Sequence, residues 1–375
     1  GNLIYTLLKI LPTMNKVVLI TRRSKKTPID FMMLKEKINY LYPSTKVVVL
    51  NHKLKFKLML PIHIIIEMYH LATSRSAIMD SYIIPISVYK HKKQLKIIQI
   101  WHALGAIKKF GYATLGKNEG SNNKIANFMK MHKNYDYVIC GSNEMIDNYS
   151  KCFNIDKSKI KPYGMPRVDY LLSVDKNKIK NEIYSYYNLD KTKKTILYAP
   201  TFRKKKQIQY CKFIEQVDFK KYNLIIKKHH LDKSVIKDHG SAIIDNNFDV
   251  MNLAIASDYI VTDYSAITFE AAILEKPLFF YVYDIKKYKK NRGLFIDYDS
   301  KEIPGLISSN PWEIVKAIEC DMYNLKKVKE FKNKYVTNQN SNSTQLIINL
   351  INLGEAYEKK YNKIDEKVIN FTSTN

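Results

Sequence analysis

Short β-branched runs, each followed by a longer amphipathic stretch, recur through most of this 375-residue chain. No other feature constrains the fold as strongly, because this alternation is the pattern of βα units around parallel sheets. Strands are expected at residues 16–21, 46–50, 77–79, 96–101 and 135–140. A second series is expected at 195–199, 222–227, 259–262 and 277–283. Residues 171–194 between the two series are charged, helical in pattern and carry no core strand, which marks a domain junction. The expected architecture is α/β: two Rossmann-type, doubly wound domains facing each other across a cleft, over residues 1–170 and 171–345. Terminal helices and a polar tail are expected over 346–375.

In such sheets ligands bind beyond the carboxyl ends of the strands, so the residues that follow each strand carry the functional reading. The segment KIIQIWHALGAIKKFG (96–111) ends an apolar strand at Trp101 and places His102 at the turn. A histidine there is suited to take a proton from an attacking hydroxyl. Gly105, Gly111, Lys108 and Lys109 give it a cationic, backbone-exposed edge. The overlapping run Gly111–Asn118 fits G-x-x-x-x-G-K, but Asn118 stands where a phosphate loop needs Ser or Thr, and no strand leads into it.

DYIVTDYSAITFEAA (258–272) ends a strand at Thr262 and starts a helix at once, with Asp263 and Ser265 able to cap it. Free backbone N–H groups at such a turn suit a diphosphate, and Glu270 can accept from ribose or polyol hydroxyls. YNLIIKKHH (222–230) brings Lys227, Lys228, His229 and His230 to another strand end, where cations can neutralise a phosphoryl leaving group. LYAPTFR (197–203) delivers Thr201 and Arg203 to the same edge. YGMPRVD (163–169) is a Gly/Pro turn that sets Arg167 near the junction.

The formal net charge of +27 attracts polyanions. Only six of the 62 basic residues are Arg (22, 23, 75, 167, 203 and 292), and Lys supplies diffuse attraction to a surface more than bidentate reading of bases. Cys140, Cys152, Cys211 and Cys320 are scattered without CxxC spacing, which predicts reduced thiols in a cytosolic setting. No apolar run approaches the ~20 residues of a spanning helix, and no signal peptide is evident, so the protein is expected to stay inside the cell. Leu3–Leu11 (LIYTLLKIL) is apolar on most faces. It suits either a bilayer interface or an ordinary core or surface helix. HExxH, EF-hand, G-x-S-x-G and post-strand G-x-G-x-x-G patterns are missing, and so is a DxD between apolar runs. Proteolysis, lipase chemistry, hydride transfer and metal-dependent sugar transfer of the other common architecture lose support.

In this order, the segments resemble the CDP-glycerol glycerophosphotransferase family, the teichoic acid primases and polymerases. IQIWHALGAIKKFG resembles its Q-x-W-H-G/A segment, YGMPRVDYL its G-x-P-R-x-D turn and LYAPTFR its Y-A-P-T-W/F-R. KKHH stands at its K-P-H-P, DVMNLAIASDYIVTDYSAITFEAA at its D-x-x-x-L…T-D-Y-S-S, and NRGLFIDYDSKEIPG at its R-G-F-x-x-D-Y…P-G. The likeness spans about residues 95–305.

The resemblance implies a GT-B-like fold, with the nucleotide on the C-terminal domain and the acceptor on the N-terminal one. It also implies a peripheral enzyme at the cytoplasmic face of the membrane. His102 would then activate a hydroxyl of a lipid-linked acceptor for attack on the β-phosphorus of CDP-glycerol, with His229 as the second catalytic residue and CMP expelled. Arg203, His229 and the Ser265–Ala266 turn would hold the diphosphate. Thr268 and Glu270 would lie near the ribose or polyol, with Arg167, Thr201, Lys227 and Asp263 completing the substrate-binding set. No metal site and no firm cofactor is implied, Mg²⁺ entering only as a diphosphate counter-ion. Expected partners are CDP-glycerol or CDP-ribitol, the acceptor polymer and an anionic membrane surface, not nucleic acid. The alternatives left open are polyol-phosphate transfer from CDP-ribitol and a GT-B glycosyltransferase that uses a nucleotide sugar. Three positions depart from the family pattern: His-Ala-Leu-Gly replaces His-Gly-Thr-Pro after Trp101, Ala266 replaces the second Ser, and His230 replaces Pro.

Overall fold

The computed structural model describes residues 1–23, 26–51, 60–120, 122–203, 208–229, 231–237 and 239–351. His230 and the expected helical tail beyond residue 351 lie outside the described residues. Among these residues twelve strands build two sheets. The first holds β1 (Lys16–Thr21), β2 (Lys46–Asn51), β3 (Ser76–Met79), β4 (Lys96–Gln99), β5 (Tyr137–Ile139) and β6 (Ile160–Lys161). The second holds β7 (Lys194–Tyr198), β8 (Tyr222–Lys227), β9 (Ile243–Asp245), β10 (Tyr259–Thr262), β11 (Leu278–Tyr281) and β12 (Gly305–Ser308).

The first sheet runs β2-β1-β3-β4-β5-β6 and the second β12-β11-β10-β7-β8-β9, and neighbouring strands pair in parallel throughout. Central strands such as β1, β3, β10 and β11 are buried at every residue. That follows from helices on both faces and explains why these strands read as unbroken apolar runs. Strand order reverses between β1 and β3 in the first sheet and between β7 and β10 in the second. These two switch points are where an open parallel sheet leaves a crevice at its carboxyl edge. Arg22, Arg23 and Asp80 follow the strands at the first switch point, and Thr201 and Asp263 follow those at the second.

The helices Pro166–Ser173 and Lys176–Tyr187 lie between the last strand of the first sheet and the first strand of the second. The chain then returns. The helix Ser343–Ile348, which starts at the end of the stretch that the sequence assigns to the second domain and runs into the terminal helices expected from residue 346, lies on the first sheet, where Ile347, Ile348 and Ile351 join the core of Val17, Leu19 and Phe31. Buried Asp169 caps that helix from another element. It accepts the N–H groups of Ser343 and Thr344 at 3.0 and 2.8 Å and the Thr344 hydroxyl at 2.6 Å.

Candidate active site

The strand expected to reach Trp101 stops at Gln99, because Trp101 takes a left-handed backbone (φ 57°). Such a conformation is costly for a bulky residue and must be held by its surroundings. The Trp101 N–H donates to Gln99 Oε1 at 2.8 Å, and the indole stacks on Phe110 with centroids 4.7 Å apart. The turn throws the half-buried His102 toward the first switch point, where its Nδ1 lies 3.0 Å from the carbonyl of Asp80. A carbonyl can only accept, so Nδ1 carries the proton and Nε2 keeps its lone pair. Burial, reinforced by the charges of Arg23, Arg167 and Lys108, pushes the imidazole well below its ordinary 6.5 against the pull of the Asp80 carbonyl. The ring is therefore neutral at physiological pH, in the tautomer a general base needs.

Arg167 ties this turn to both domains. Its guanidinium grips Asp30 through Nε at 3.2 and 3.1 Å and through a second nitrogen at 2.5 Å. The remaining nitrogen donates to Glu270 Oε1 at 2.9 Å and to the His102 carbonyl at 3.3 Å. Burial opposes the charge, but Asp30 and Glu270 outweigh it and raise the Arg167 pKa. The residue is thus a buried strut between the helix Ile29–Leu41 of the first domain and the helix Ile267–Ile273 of the second. Gly105 lies against the Phe269 ring of that second helix with no room for a Cβ, a physical reason for Gly in this chain's His-Ala-Leu-Gly.

At the second switch point the Thr201 N–H donates to Asp263 Oδ1 at 2.8 Å. Arg203 pairs with Asp263 at 2.8 Å and with Asp284 at 2.9 Å, and donates to the Thr201 carbonyl at 2.7 Å. Its guanidinium is also packed by the rings of Tyr264, Tyr283 and Tyr288. Like Arg167, it holds the site's walls in place. The buried Thr268 hydroxyl turns back to the Ser265 carbonyl at 2.9 Å. The N–H groups of Ser265, Ala266 and Ile267 donate to no described acceptor, and Glu270 Oε2 is buried with no hydrogen-bond partner among the described residues.

Lys108 joins the two halves. From the first domain it reaches Thr201 of the second, Nζ to Oγ1 at 3.4 Å. Burial, then the charges of Arg292 and Arg203, against the pull of Asp263 and Glu119, bring it down to about 7. A short antiparallel contact of Lys108 with Leu294 locks the same segment to the second domain.

Two further expected site residues are engaged within the second domain. Lys227 is spent on Asp245 at 2.5 Å and on the Phe248 carbonyl at 2.6 Å. His229, two residues beyond β8, stacks on Phe202 with centroids 5.6 Å apart, and its Nδ1 accepts from the Leu231 N–H at 3.3 Å. Three cleft groups escape motif reading. Asp30 and Asp80 are single carboxylates with no local pattern. Arg23 follows β1 directly, where the carboxyl-edge rule alone would have found it. Among the described residues no group of three or more His, Cys, Asp or Glu is placed to hold a metal ion.

The sequence profile of the family described as CDP-Glycerol:Poly(glycerophosphate) glycerophosphotransferase matches residues 3–353. The chain belongs to this family. As a member of the glycerophosphotransferases it shares 34% identity over 301 residues with the teichoic acid glycerol-phosphate primase of Bacillus subtilis strain 168, covering 78% of this chain and 77% of that protein. It shares 29% identity over 354 residues with the teichoic acid ribitol-phosphate primase of Bacillus spizizenii strain W23, covering 90% of each. A solved structure of the wall teichoic acid polymerase TagF has the same fold at TM-score 0.77 and 22% identity, over 96% of this chain and 94% of that one. The glycerophosphotransferase fold is thus GT-B-like, with the two switch points facing each other.

Proposed function

We propose that this enzyme transfers glycerol phosphate from CDP-glycerol to a hydroxyl of a lipid-linked acceptor in teichoic acid synthesis, releasing CMP. The observation that carries this reading is His102, neutral, fixed through Nδ1 and open at Nε2, beside the contact of the two domains. Nε2 takes the proton of the acceptor hydroxyl as its oxygen attacks the β-phosphorus. The bond from that phosphorus to the bridging oxygen breaks, and CMP leaves with the electron pair. Lys108 and the free N–H groups of Ser265–Ile267 meet the diphosphate charge, with Mg²⁺ as a counter-ion in solution, and Glu270 Oε2 accepts from a polyol or ribose hydroxyl. Arg203 and Thr201 shape the seat.

Ribitol phosphate is the second reading, supported by the likeness to a ribitol-phosphate primase over 90% of the chain. CMP release from CDP-glycerol and from CDP-ribitol, each with a lipid-linked acceptor analogue, separates the two. We expect acceptor-dependent release from one donor only. Silence with both from folded protein would refute polyol-phosphate transfer and redirect the search to nucleotide sugars.

A lipid-linked acceptor and a cytidine-nucleotide donor together favour a reaction at the cytoplasmic face of the membrane. The short helix Asn2–Leu8 packs against the helix Leu60–Thr73, anchored by buried Tyr5, whose hydroxyl lies 2.6 Å from His91 Nδ1. Leu3, Leu7 and Ile10 are exposed here, and so are Ile62 and Ile65 of the helix it packs on. No helix among the described residues is long and apolar enough to cross a bilayer, so this face would lie on it. Each leucine that enters the interface contributes up to about 1.5–3 kcal/mol. The double variant Leu3→Glu/Leu7→Glu should lose about tenfold or more in cosedimentation with anionic vesicles while keeping CMP release with a soluble acceptor. Undiminished vesicle binding would exclude this helix as the contact.

A further inference from the structure

Beside the central cleft, the contact between the two domains forms an open pocket of about 300 Å³, lined by Lys109, Lys117, Lys289, Gly293, Leu294, Phe295 and Asp297. It shares none of these residues with the cleft at His102, Thr201 and Asp263. Its lysines are placed by backbone pairing. The Lys109 N–H donates to the Gly293 carbonyl at 3.0 Å and the Phe295 N–H to the Ile107 carbonyl at 2.8 Å. Gly293 has φ +89°, and a Cβ there would lie 2.8 Å from Lys117 Nζ and 3.0 Å from Lys109 Cδ. Two lysine side chains from the first domain therefore converge over one glycine of the second, which only a glycine permits.

The charges in this cavity are uneven. Lys289 is satisfied, holding Asp297 at 2.8 Å and Asp299 at 2.5 Å. Among the described residues neither Lys109 nor Lys117 forms an ion pair with a carboxylate, as Lys289 does, and the Lys109 ammonium lies 5.5 Å from the centre of the Phe295 ring. Like charges gathered in a partly enclosed space repel unless an anion sits between them. We propose that Lys109 and Lys117 form a phosphate-binding site at the flank of the domain contact, distinct from the seat of the donor diphosphate. Two rotatable ammonium groups present point charges and several donors to a tetrahedral oxyanion. Leu294 and Phe295 give one apolar wall. At about 30 Å³ for each water's share of liquid, the cavity is roomier than a lone phosphate needs. A phosphate flanked by polyol carbons fits such a mixed lining. The phosphodiester of a polyol-phosphate chain is thus one source and free phosphate the other. Only the first of these rests on the reaction proposed above.

The test is titration of the full chain with inorganic phosphate and, separately, with glycerophosphoglycerol, at constant ionic strength. Lys109→Gln/Lys117→Gln should weaken binding about tenfold or more, the equivalent of one lost charge-assisted hydrogen bond. Lys326→Gln/Lys327→Gln, exposed residues on the remote helix Leu325–Tyr335, removes the same net charge and should leave affinity within about twofold. Lys109→Arg/Lys117→Arg keeps the charge and serves if the glutamine pair is poorly folded. It should retain binding of the anion.

Pocket-dependent binding of both anions supports a site for the phosphodiester chain. Pocket-dependent binding of inorganic phosphate alone supports the site and overturns the chain as its source. Equal losses in the pocket and remote variants, or none in either, overturn the site itself. CMP release from the two donors is scored separately, so a failed reaction assignment is not mistaken for a failed phosphate site.

Discussion

His102→Ala should lower acceptor-dependent CMP release by about 10²–10⁴-fold, the span expected for a positioned general base, while CDP still binds. The two effects separate because the imidazole hangs from the first domain on the Asp80 carbonyl, whereas the proposed diphosphate seat at Ser265–Ile267 belongs to the second. Full activity in the variant would remove His102 from the mechanism. The pH profile gives an independent check. His102 is held well below 6.5, so the base stays competent into mildly acidic solution, and the acid limb of kcat/KM should fall below the range of an ordinary histidine. Lys108, brought to about 7 in the free enzyme, loses its positive charge as pH rises through that value. Donor capture should weaken along the same limb, and Lys108→Met should flatten it. An alkaline limb that persists unchanged in Lys108→Met would assign it to another group.

Arg167→Met should destabilise the protein by about 3–5 kcal/mol, because it strands two buried carboxylates without their common partner. Asp30 and Glu270 are each only 3% exposed at the side chain, so neither can turn to water for relief. Arg167→Lys offers one ammonium where a planar fork meets Asp30 on one side and Glu270 on the other, and it should recover only part of the loss. The readout that separates a strut from a ligand contact is the double variant Arg167→Met/Glu270→Gln. Removing one stranded charge should restore part of the melting temperature, a coupling that a substrate-binding arginine would not show. Unchanged stability in Arg167→Met together with a raised KM would instead return Arg167 to the substrate.

The sheets were legible wherever their strands are long and buried on both faces. β1, β8 and β10 have the bounds that their apolar runs predict. The edge strands β6, β9 and β12 escaped because two to four residues exposed along one side carry neither a long apolar run nor an alternation. Trp101 was read as the end of a strand because its left-handed backbone leaves no compositional trace. Among the candidate site residues, His102, Thr201 and Asp263 were placed at the carboxyl edges of the sheets because each follows a strand, and strand ends are readable. Arg167, Arg203 and Lys227 were read as cations open to ligand. What the sequence could not show is which carboxylates reach them. Asp30 lies 137 positions from Arg167, and Asp284 lies 81 from Arg203. The long-range pairing that decides between anion binder and buried strut is a property of the folded arrangement alone.

Over the described residues the chain passes between the domains twice, outward through the helix Pro166–Ser173 and back just before Ser343. The two passages lie side by side. The Thr337 N–H donates to the Gly141 carbonyl at 3.0 Å, and the Asn338 amide to the Tyr163 carbonyl at 2.9 Å. With Asp169 capping Ser343 and Thr344, the strands of this double tether cannot slide past one another. A pair of adjacent pivots leaves one soft motion, a swing about the line through both, as in a hinged lid. Arg167 stands two residues from Asp169, close to that axis, so its grip on Glu270 can survive a swing that carries Lys108 away from Thr201. Opening the enzyme to exchange CMP for a fresh donor would then unfasten the far latch at Lys108 and Leu294 while the Arg167 bearing stays engaged.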